Sequence, residues 1–473
     1  MRFLIIQRII LLLAGFIIMV EAFTQEKQQA ITSRLQSAFQ QFEQDSQLRN
    51  ALSSLYVIER KTGKEVFAKN ATIGLAPAST QKIITSATAY ELLGKDFRYR
   101  TDFGITRAGA TNPSTALYVI PSGDPTLGSW RWEQTKENSI FQRIAKAFVS
   151  YNNITITGVL IDTTGWNDES IPDGWIWEDI GNYYGAGASA LNWRENQFDV
   201  HLRSGTTIGS QVEIVKTEPK LFNYRLKSFA TAAGKGTGDN AFIYFPLNDT
   251  IGVVRGTIPI NESKFTISGA LPSPAQQMTY RLFESLAGKI NVSIESKLMP
   301  KYTHSLSEGK TVLHSEYSPI LDSIIFWLNR KSINLYGEAL VKTIGYQKKG
   351  KGSTSAGVEE VKKFWKEIGV APTELNIVDG SGLSPLNRVT TKAQVFILQY
   401  AQKQPWFSGF YQSLPEYNGM KMKSGTIHNV KGFCGYHTSK EGTEYIFSFL
   451  VNNYNGSSAT VVQKMYKVLD VLK

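Results

Sequence analysis

The spacing of apolar residues changes along the chain, and each change predicts a different kind of structure. Arg2 and Arg8 flank the start of an unbroken apolar run, Ile9 to Val20. That run is shorter than the roughly 20 residues a bilayer-spanning helix needs. Charge first, then a short apolar stretch, then Val20-Glu21-Ala22 is the pattern of a secretory signal, with cleavage expected after Ala22. Between Gln25 and Ser46 the apolar residues Ile31, Leu35, Phe39 and Phe42 recur at helical spacing. Leu52 to Glu59 and Lys64 to Ala68 read as two strands joined by a turn at Lys61-Thr62-Gly63. A second helix is predicted from Ser79 to Leu93. Ile83, Ala87 and Tyr90 share one face, Pro77 sits just ahead and Gly94 ends it.

From about Phe97 to Pro300 the pattern shortens to β-rich runs between Gly, Asn, Asp and Pro turns. Ala116 to Ile120, Ile154 to Ile161, Gln197 to Arg203, Gln211 to Lys216, Ala241 to Pro246 and Gly252 to Ile258 are the predicted strands. Helical spacing returns at Tyr317 through Ile320, Ile324 and Leu328, then Leu335, Ala339 and Val341. A further helix fits Val358 to Ile368, a strand Tyr445 to Val451, and a closing helix Val461 to Leu472. Mixed elements at both ends of a β-rich middle predict one α/β domain split by a large insertion, a change tolerated at surface loops.

Composition narrows the class of partner. Lys plus Arg number 51 and Asp plus Glu 40, a net charge of +11. That excess suits an anionic partner: nucleic acid, a membrane surface or an acidic polymer such as cell wall. The densest basic cluster, Lys348-Lys349-Gly350-Lys351, reads as a solvated loop, so no nucleic-acid partner is expected. Cys434 is the one cysteine, which excludes an intramolecular disulfide and a Cys-based zinc site. Within Lys431-Gly432-Phe433-Cys434-Gly435-Tyr436 it reads as a core thiol. Neither metal-ligand spacing nor a phosphate loop appears, and no cofactor is expected.

The candidate chemistry starts at Ser79-Thr80-Gln81-Lys82. Residues three apart share a helix face, so the Lys82 amine can reach the Ser79 hydroxyl. A serine hydroxyl needs a neighbour to take its proton, and a lysine does so only with a lowered pKa. Ser332-Ile333-Asn334, between two predicted helices, and Lys423-Ser424-Gly425, on a strand before Thr426, follow in the order Ser-x-x-Lys, Ser-x-Asn, Lys-Thr/Ser-Gly. Competing matches at Ser307 to Lys310, Ser150 to Asn152 and Lys61 to Gly63 fail on composition or on order. Five histidines offer a Ser-His-Asp alternative, but no Gly-x-Ser-x-Gly elbow accompanies them.

Three further strings carry a resemblance: Ala76-Pro77-Ala78 before Ser79, Gly123-Asp124-Pro125-Thr126-Leu127, and Asp379-Gly380-Ser381-Gly382-Leu383-Ser384 followed by Asn387. With the motifs above, the chain resembles the D-alanyl-D-alanine carboxypeptidase/endopeptidase family, the class C low-molecular-mass penicillin-binding proteins. The resemblance implies an α/β (α+β) transpeptidase/β-lactamase-like catalytic domain split by inserted β-rich domains. It divides the chain into a signal peptide (1–22), catalytic domain (23–96 and 303–473), second domain (97–195 and 263–302) and third domain (196–262).

The same resemblance implies roles. Ser79 attacks and forms an acyl-enzyme, Lys82 takes its proton, Ser332 relays a proton to the leaving amine, and Asn334 holds Lys82 and the substrate amide. Lys423 and Ser424 bind the terminal carboxylate, and the N–H groups of Ser79 and Thr426 form the oxyanion hole. Gly425 is expected to let a substrate backbone lie on the strand edge. Asp162 resembles the acidic residue that binds the side-chain amine of the stem peptide. The chain departs from the family pattern at Pro385, where many relatives carry Arg, and at His428, where some carry Gln. The implied partners are peptidoglycan stems and acylating β-lactams, and the implied location is the periplasm, with membrane contact only through an uncleaved signal. A β-lactamase-like hydrolase and a catalytically silent wall-binding scaffold are the alternatives.

Overall fold

A computed structural model describes residues 29–107, 115–150, 155–246, 249–289, 291–292, 299–304 and 309–473. The expected signal segment, Ser307 and Glu308, and Tyr151 and Asn152 lie outside the described residues.

The two ends of the chain close one six-stranded antiparallel sheet. Its order is Glu416–Tyr417, Met420–Ile427, Val430–Thr438, Glu444–Asn452, Leu52–Glu59, Glu65–Lys69. Strands with alternating apolar residues bury one face only, but Leu52–Glu59 and Glu444–Asn452 are buried on both sides. One face packs Leu55, Val57, Phe447 and Phe449 against the helix at 29–43 (Leu35, Phe39, Phe42) and the closing helix Ser458–Leu469 (Val461, Met465). The other face carries the larger helical layer: Lys82–Leu93, Leu321–Arg330, Asn334–Lys349, Thr354–Ile368 and Thr391–Ala401. Sheet and helices meet without solvent, as a mixed α/β layer must if its apolar stripes are to be covered.

The middle of the chain forms two further packing units. One sheet orders Thr155–Asp162, Thr115–Ile120, Arg100–Arg107 and Lys310–Tyr317 beside each other. It is covered by helices Glu137–Val149 and Pro274–Leu286 through Ile140, Ile144, Phe148, Met278 and Leu282. The second unit is β throughout. A sheet containing Gln197–Arg203 and Phe265–Ala270 shares its core with one containing Asn240–Tyr244 and Ile251–Pro259, through Phe198, Val200, Ile243, Val254 and Ile267.

The structure differs from the sequence expectation at three places. The two helices of the middle region were not expected, although Ile140, Phe141, Ile144 and Phe148 carry a helical period. Phe265–Ala270 pairs with Gln197–Arg203 across the boundary expected at 262/263. Lys310–Tyr317 pairs with Arg100–Arg107, so a segment assigned to the catalytic part is a strand that completes a sheet of the insertion. Strand pairing is non-local, and periodicity within one segment carries no information about its partner.

The insertion is stapled to the catalytic unit by polar contacts of residues 169–195. Trp175 Nε1 donates to Asp379 (3.0 Å), Ser384 Oγ to the Gly174 carbonyl (3.1 Å) and Lys342 Nζ to the Ala188 carbonyl (2.9 Å). Tyr336 donates to Glu195 (2.7 Å), which also holds Arg131 at 2.7 Å. These bonds hold one face of the insertion against the helix Asn334–Lys349 and the loop that carries Asp379 and Ser384.

Candidate active site

Ser79 lies in a tight 3-10 turn, Ala78–Gln81, that runs directly into the helix Lys82–Leu93. The expected helix therefore begins with a tighter turn, which preserves the three-residue spacing that aligns Ser79 and Lys82. Ala78 has φ +47°, a left-handed conformation that costs a non-glycine residue energy. Gly382 passes so close that a Cβ there would sit 2.0 Å from the Ala78 carbonyl oxygen. Strain at Ala78 is thus held in place by packing around it.

Lys82 is completely buried. Its amine lies 2.8 Å from Ser79 Oγ, 2.6 Å from Asn334 Oδ1 and 2.8 Å from the Ser381 carbonyl oxygen. A neutral amine has two N–H bonds and one lone pair. In that neutral form, with Asn334 and Ser381 accepting the two N–H bonds, the lone pair would face Ser79. Burial, and then the charge of nearby Lys423, push the Lys82 pKa well below its usual value, against the pull of Asp379 and Glu338.

Asn334 opens the helix Asn334–Lys349 after a break at Ser332, whose φ is +58°. Asn334 Nδ2 donates to the Tyr184 carbonyl at 2.7 Å, which fixes the amide so that its oxygen faces Lys82. The insertion therefore helps to orient a side chain of the catalytic unit. Lys423, almost fully buried, donates to Ser332 Oγ (2.9 Å) and to the Ser424 carbonyl (2.8 Å). Burial lowers its pKa to about 7.

Gly425 has a packing role beside the one expected of it. A Cβ there would lie 2.6 Å from the Pro77 oxygen, 2.8 Å from the Thr80 nitrogen and 2.9 Å from the Ser79 nitrogen. Its missing side chain lets the strand Met420–Ile427 press against the nucleophile turn, which brings Thr426 onto the same cleft as Ser79. On the strand's other edge Glu416–Tyr417 pairs only with Met420 and Lys421. Among the described residues the stretch from Lys423 to Ile427 has no strand on that side, so an extended peptide could pair there.

Ser79, Ser332, Asn334 and Thr426 line one cleft of about 1080 Å³. Its far wall comes from the insertion: Ile176, Glu178, Asp179, Tyr183 and Phe242, facing Pro385 and His428. Desolvation, then the neighbouring Glu178 charge, raises the Asp179 pKa to about 6.

A family model described as the D-Ala-D-Ala carboxypeptidase 3 (S13) family matches residues 35–416. The chain belongs to this family. As a serine-type D-Ala-D-Ala carboxypeptidase of the S13 family it is 28% identical over 451 residues to the D-alanyl-D-alanine carboxypeptidase of Actinomadura sp. strain R39, covering 89% of this chain and 81% of that one. It is 22% identical over 413 residues to the D-alanyl-D-alanine carboxypeptidase DacB of Haemophilus influenzae, covering 82% of each. The crystal structure of penicillin-binding protein 4 from the same organism superposes with a TM-score of 0.74 at 19% identity, covering 89% of this chain and 96% of that one. A second crystal structure of that protein, complexed with a β-lactam, gives a TM-score of 0.71 at 18% identity over 93% and 99% of the two chains. The fold of this S13 carboxypeptidase is therefore the mixed α/β fold of the penicillin-binding proteins.

Within that fold Asp162 requires correction as a substrate-binding residue. It is buried at the end of strand Thr155–Asp162, and it is absent from the lining of the cleft. Its carboxylate already accepts from Tyr118 Oη and the Thr164 nitrogen (2.9 Å), with Lys310 at 3.4 Å. Burial works to raise its pKa, but the Thr164 and Tyr118 bonds and Lys310 together hold it below the usual range. Such a saturated carboxylate braces the inserted sheet. The acidic residues that do face the cleft, Glu178 and Asp179, were missed from sequence. The signal available was two adjacent acids just after Trp175 and Trp177, and nothing in it told which acid would turn toward the nucleophile. Trp166, Trp175 and Trp193 are buried, as core packing requires, and Trp177 is half exposed.

Proposed function

We propose that the enzyme cleaves the terminal D-Ala-D-Ala bond of peptidoglycan stem peptides through an acyl-enzyme on Ser79, and that it also cuts cross-links with the same chemistry. Neutral Lys82 takes the Ser79 proton as Oγ attacks the carbonyl carbon of the penultimate D-Ala. The N–H groups of Ser79 and Thr426 stabilise the oxyanion. Breaking of the C–N bond releases D-Ala, whose nitrogen receives a proton through Ser332, and water then hydrolyses the ester. Lys423 and Ser424 hold the terminal carboxylate. The observation that carries this reading is the Lys82 amine, buried and 2.8 Å from Ser79 Oγ, with its two other bonds already assigned.

The acidic pair Glu178 and Asp179 is proposed to receive the side-chain amine of the stem, the role first expected of Asp162; their position on the cleft lining supports this. β-Lactams, whose strained amide mimics the scissile bond, are proposed to acylate Ser79. The protein is proposed to be exported to the periplasm by its N-terminal signal; among the described residues no helix is long and apolar enough to cross a membrane. We also propose three domains, with Phe265–Ala270 assigned to the third and Lys310–Tyr317 to the second. Release of D-Ala from a synthetic stem peptide by the native enzyme, and its loss in Ser79→Ala, tests the assignment. D-Ala release by Ser79→Ala at the native rate would overturn it.

A further inference from the structure

Glu338 is a fully buried acid in the heart of the catalytic unit, on the helix Asn334–Lys349 and one turn beyond Asn334. It has no part in the chemistry described above. Its carboxylate accepts from the Gly380 nitrogen (3.1 and 3.0 Å) and the Ser381 nitrogen (2.8 Å). Ser381 is the residue whose carbonyl accepts from Lys82. The helix can come this close to the Gly380 turn because neither partner has a side chain. A Cβ on Gly380 would lie 2.3 Å from the Gly337 oxygen, and one on Gly337 would lie 3.0 Å from the Gly380 oxygen. Thr85 Oγ1, from the nucleophile helix, pins the same turn by donating to the Gly380 carbonyl at 2.6 Å.

We propose that Glu338 is a positioning residue for acylation: its buried carboxylate holds the Ser381 carbonyl on Lys82 and so keeps that lysine's lone pair on Ser79. This rests on Lys82 being the base. One helix thereby supplies both acceptors of the Lys82 amine, Asn334 directly and Ser381 through the clamped turn. A buried carboxylate is costly unless its bonds are satisfied, and two peptide N–H groups of one turn satisfy this one while fixing the turn's orientation.

Charge adds to geometry. The groups facing Glu338 are Asp379 from the clamped loop, Lys342 one turn along its own helix, and Lys82 from the nucleophile helix, with Lys423 behind Lys82. Burial, then the Asp379 charge, raises the Glu338 pKa to about 7. An ionised Glu338 raises the pKa of Lys82. Acylation needs neutral Lys82, so its rate falls as pH drops through the lysine's pKa. Above the Glu338 pKa of about 7, where that acid is ionised, removing its charge lowers the Lys82 pKa and moves the acid limb to lower pH.

The test is the rate of acylation by labelled penicillin as a function of pH for the native enzyme, Glu338→Gln, Glu338→Asp and Glu338→Ala, with thermal unfolding recorded for each. Glu338→Ala is expected to lose about 10- to 100-fold in acylation rate, the size expected from a small misplacement of a catalytic group, with non-covalent binding little changed. Glu338→Gln, which keeps an oxygen acceptor, is expected to recover most of that rate with its acid limb at lower pH. If Glu338→Ala does not fold, Glu338→Asp decides, because its shorter side chain draws the carboxylate away from the Gly380 and Ser381 nitrogens and should also slow acylation. A labelled native enzyme with an undiminished acylation rate in folded Glu338→Ala or Glu338→Asp would overturn the proposal. A native enzyme that takes no label would instead remove the Ser79–Lys82 reading beneath it.

Discussion

Two walls of the same cleft are built by opposite rules. The seam between the Ser79 turn and the strand Met420–Ile427 is dry: Lys82 and Lys423 are buried, and each has specific acceptors. The opposite wall, residues 176–183 of the insertion, leaves Ile176, Trp177 and Tyr183 exposed and Asp179 only partly covered. Low dielectric at the seam is what leaves a lysine unprotonated and able to accept a proton, because burial penalises its charged form. Asp179 on the outer wall is only partly covered and, with a pKa of about 6, is mostly ionised at neutral pH, so it can meet a cation without the full desolvation cost of a buried charge. The difference teaches that bond-breaking and side-chain recognition are separable here: substitutions at the seam should act on the rate, and substitutions on the wall should act on binding.

The largest effect is expected at the seam. Lys82→Met keeps most of the buried volume and removes the base, and should slow acylation by about 10²- to 10⁴-fold, the usual contribution of a general base; stopped-flow acylation by a chromogenic β-lactam measures it. Next comes Asn334→Ala, which strands one Lys82 N–H and frees the Tyr184 carbonyl. It should slow acylation by about tenfold or more, and it should lower stability by about 1–3 kcal/mol because a buried donor is left unpaired. Denaturant unfolding reads the second part.

On the wall, Asp179→Asn should raise KM about tenfold for stem peptides with a free side-chain amine and leave kcat unchanged. With the Asp179 pKa at about 6, native KM for those peptides should rise as pH falls below 6, because the protonated acid no longer attracts the amine. A matching fall in kcat would break the comparison between the two walls. The smallest effect is expected at Asp162→Asn. Its bonds to Tyr118, Thr164 and Lys310 brace the inserted sheet, so stability should fall by about 1 kcal/mol and KM should stay the same.

The seam was legible in the sequence because its chemistry is local or ordered. Ser79 and Lys82 are three residues apart, and the later Ser-Asn and Lys-Ser pairs arrive in a fixed order. The catalytic unit's helices were legible because Ile83, Ala87 and Tyr90, or Leu35, Phe39 and Phe42, repeat at helical period. The wall was not legible. Asp162 and Asp179 are both acids near tryptophans, and only the fold decides which is consumed by Tyr118 and Lys310 and which reaches the cleft. Gly425 was read as a place for substrate, and nothing in the sequence told that its missing Cβ is also needed against the Ser79 and Thr80 nitrogens. Close approach between segments far apart in the chain leaves no periodic trace. The strand exchange at Phe265–Ala270 and Lys310–Tyr317 escaped for the same reason.

Peptide mapping by mass spectrometry after brief reaction with penicillin tests the central claim most directly. The account predicts a single penicilloyl adduct on the peptide containing Ser79, formed slowly or not at all in Lys82→Met. An adduct on any other residue, or native-rate labelling of Lys82→Met, would contradict it.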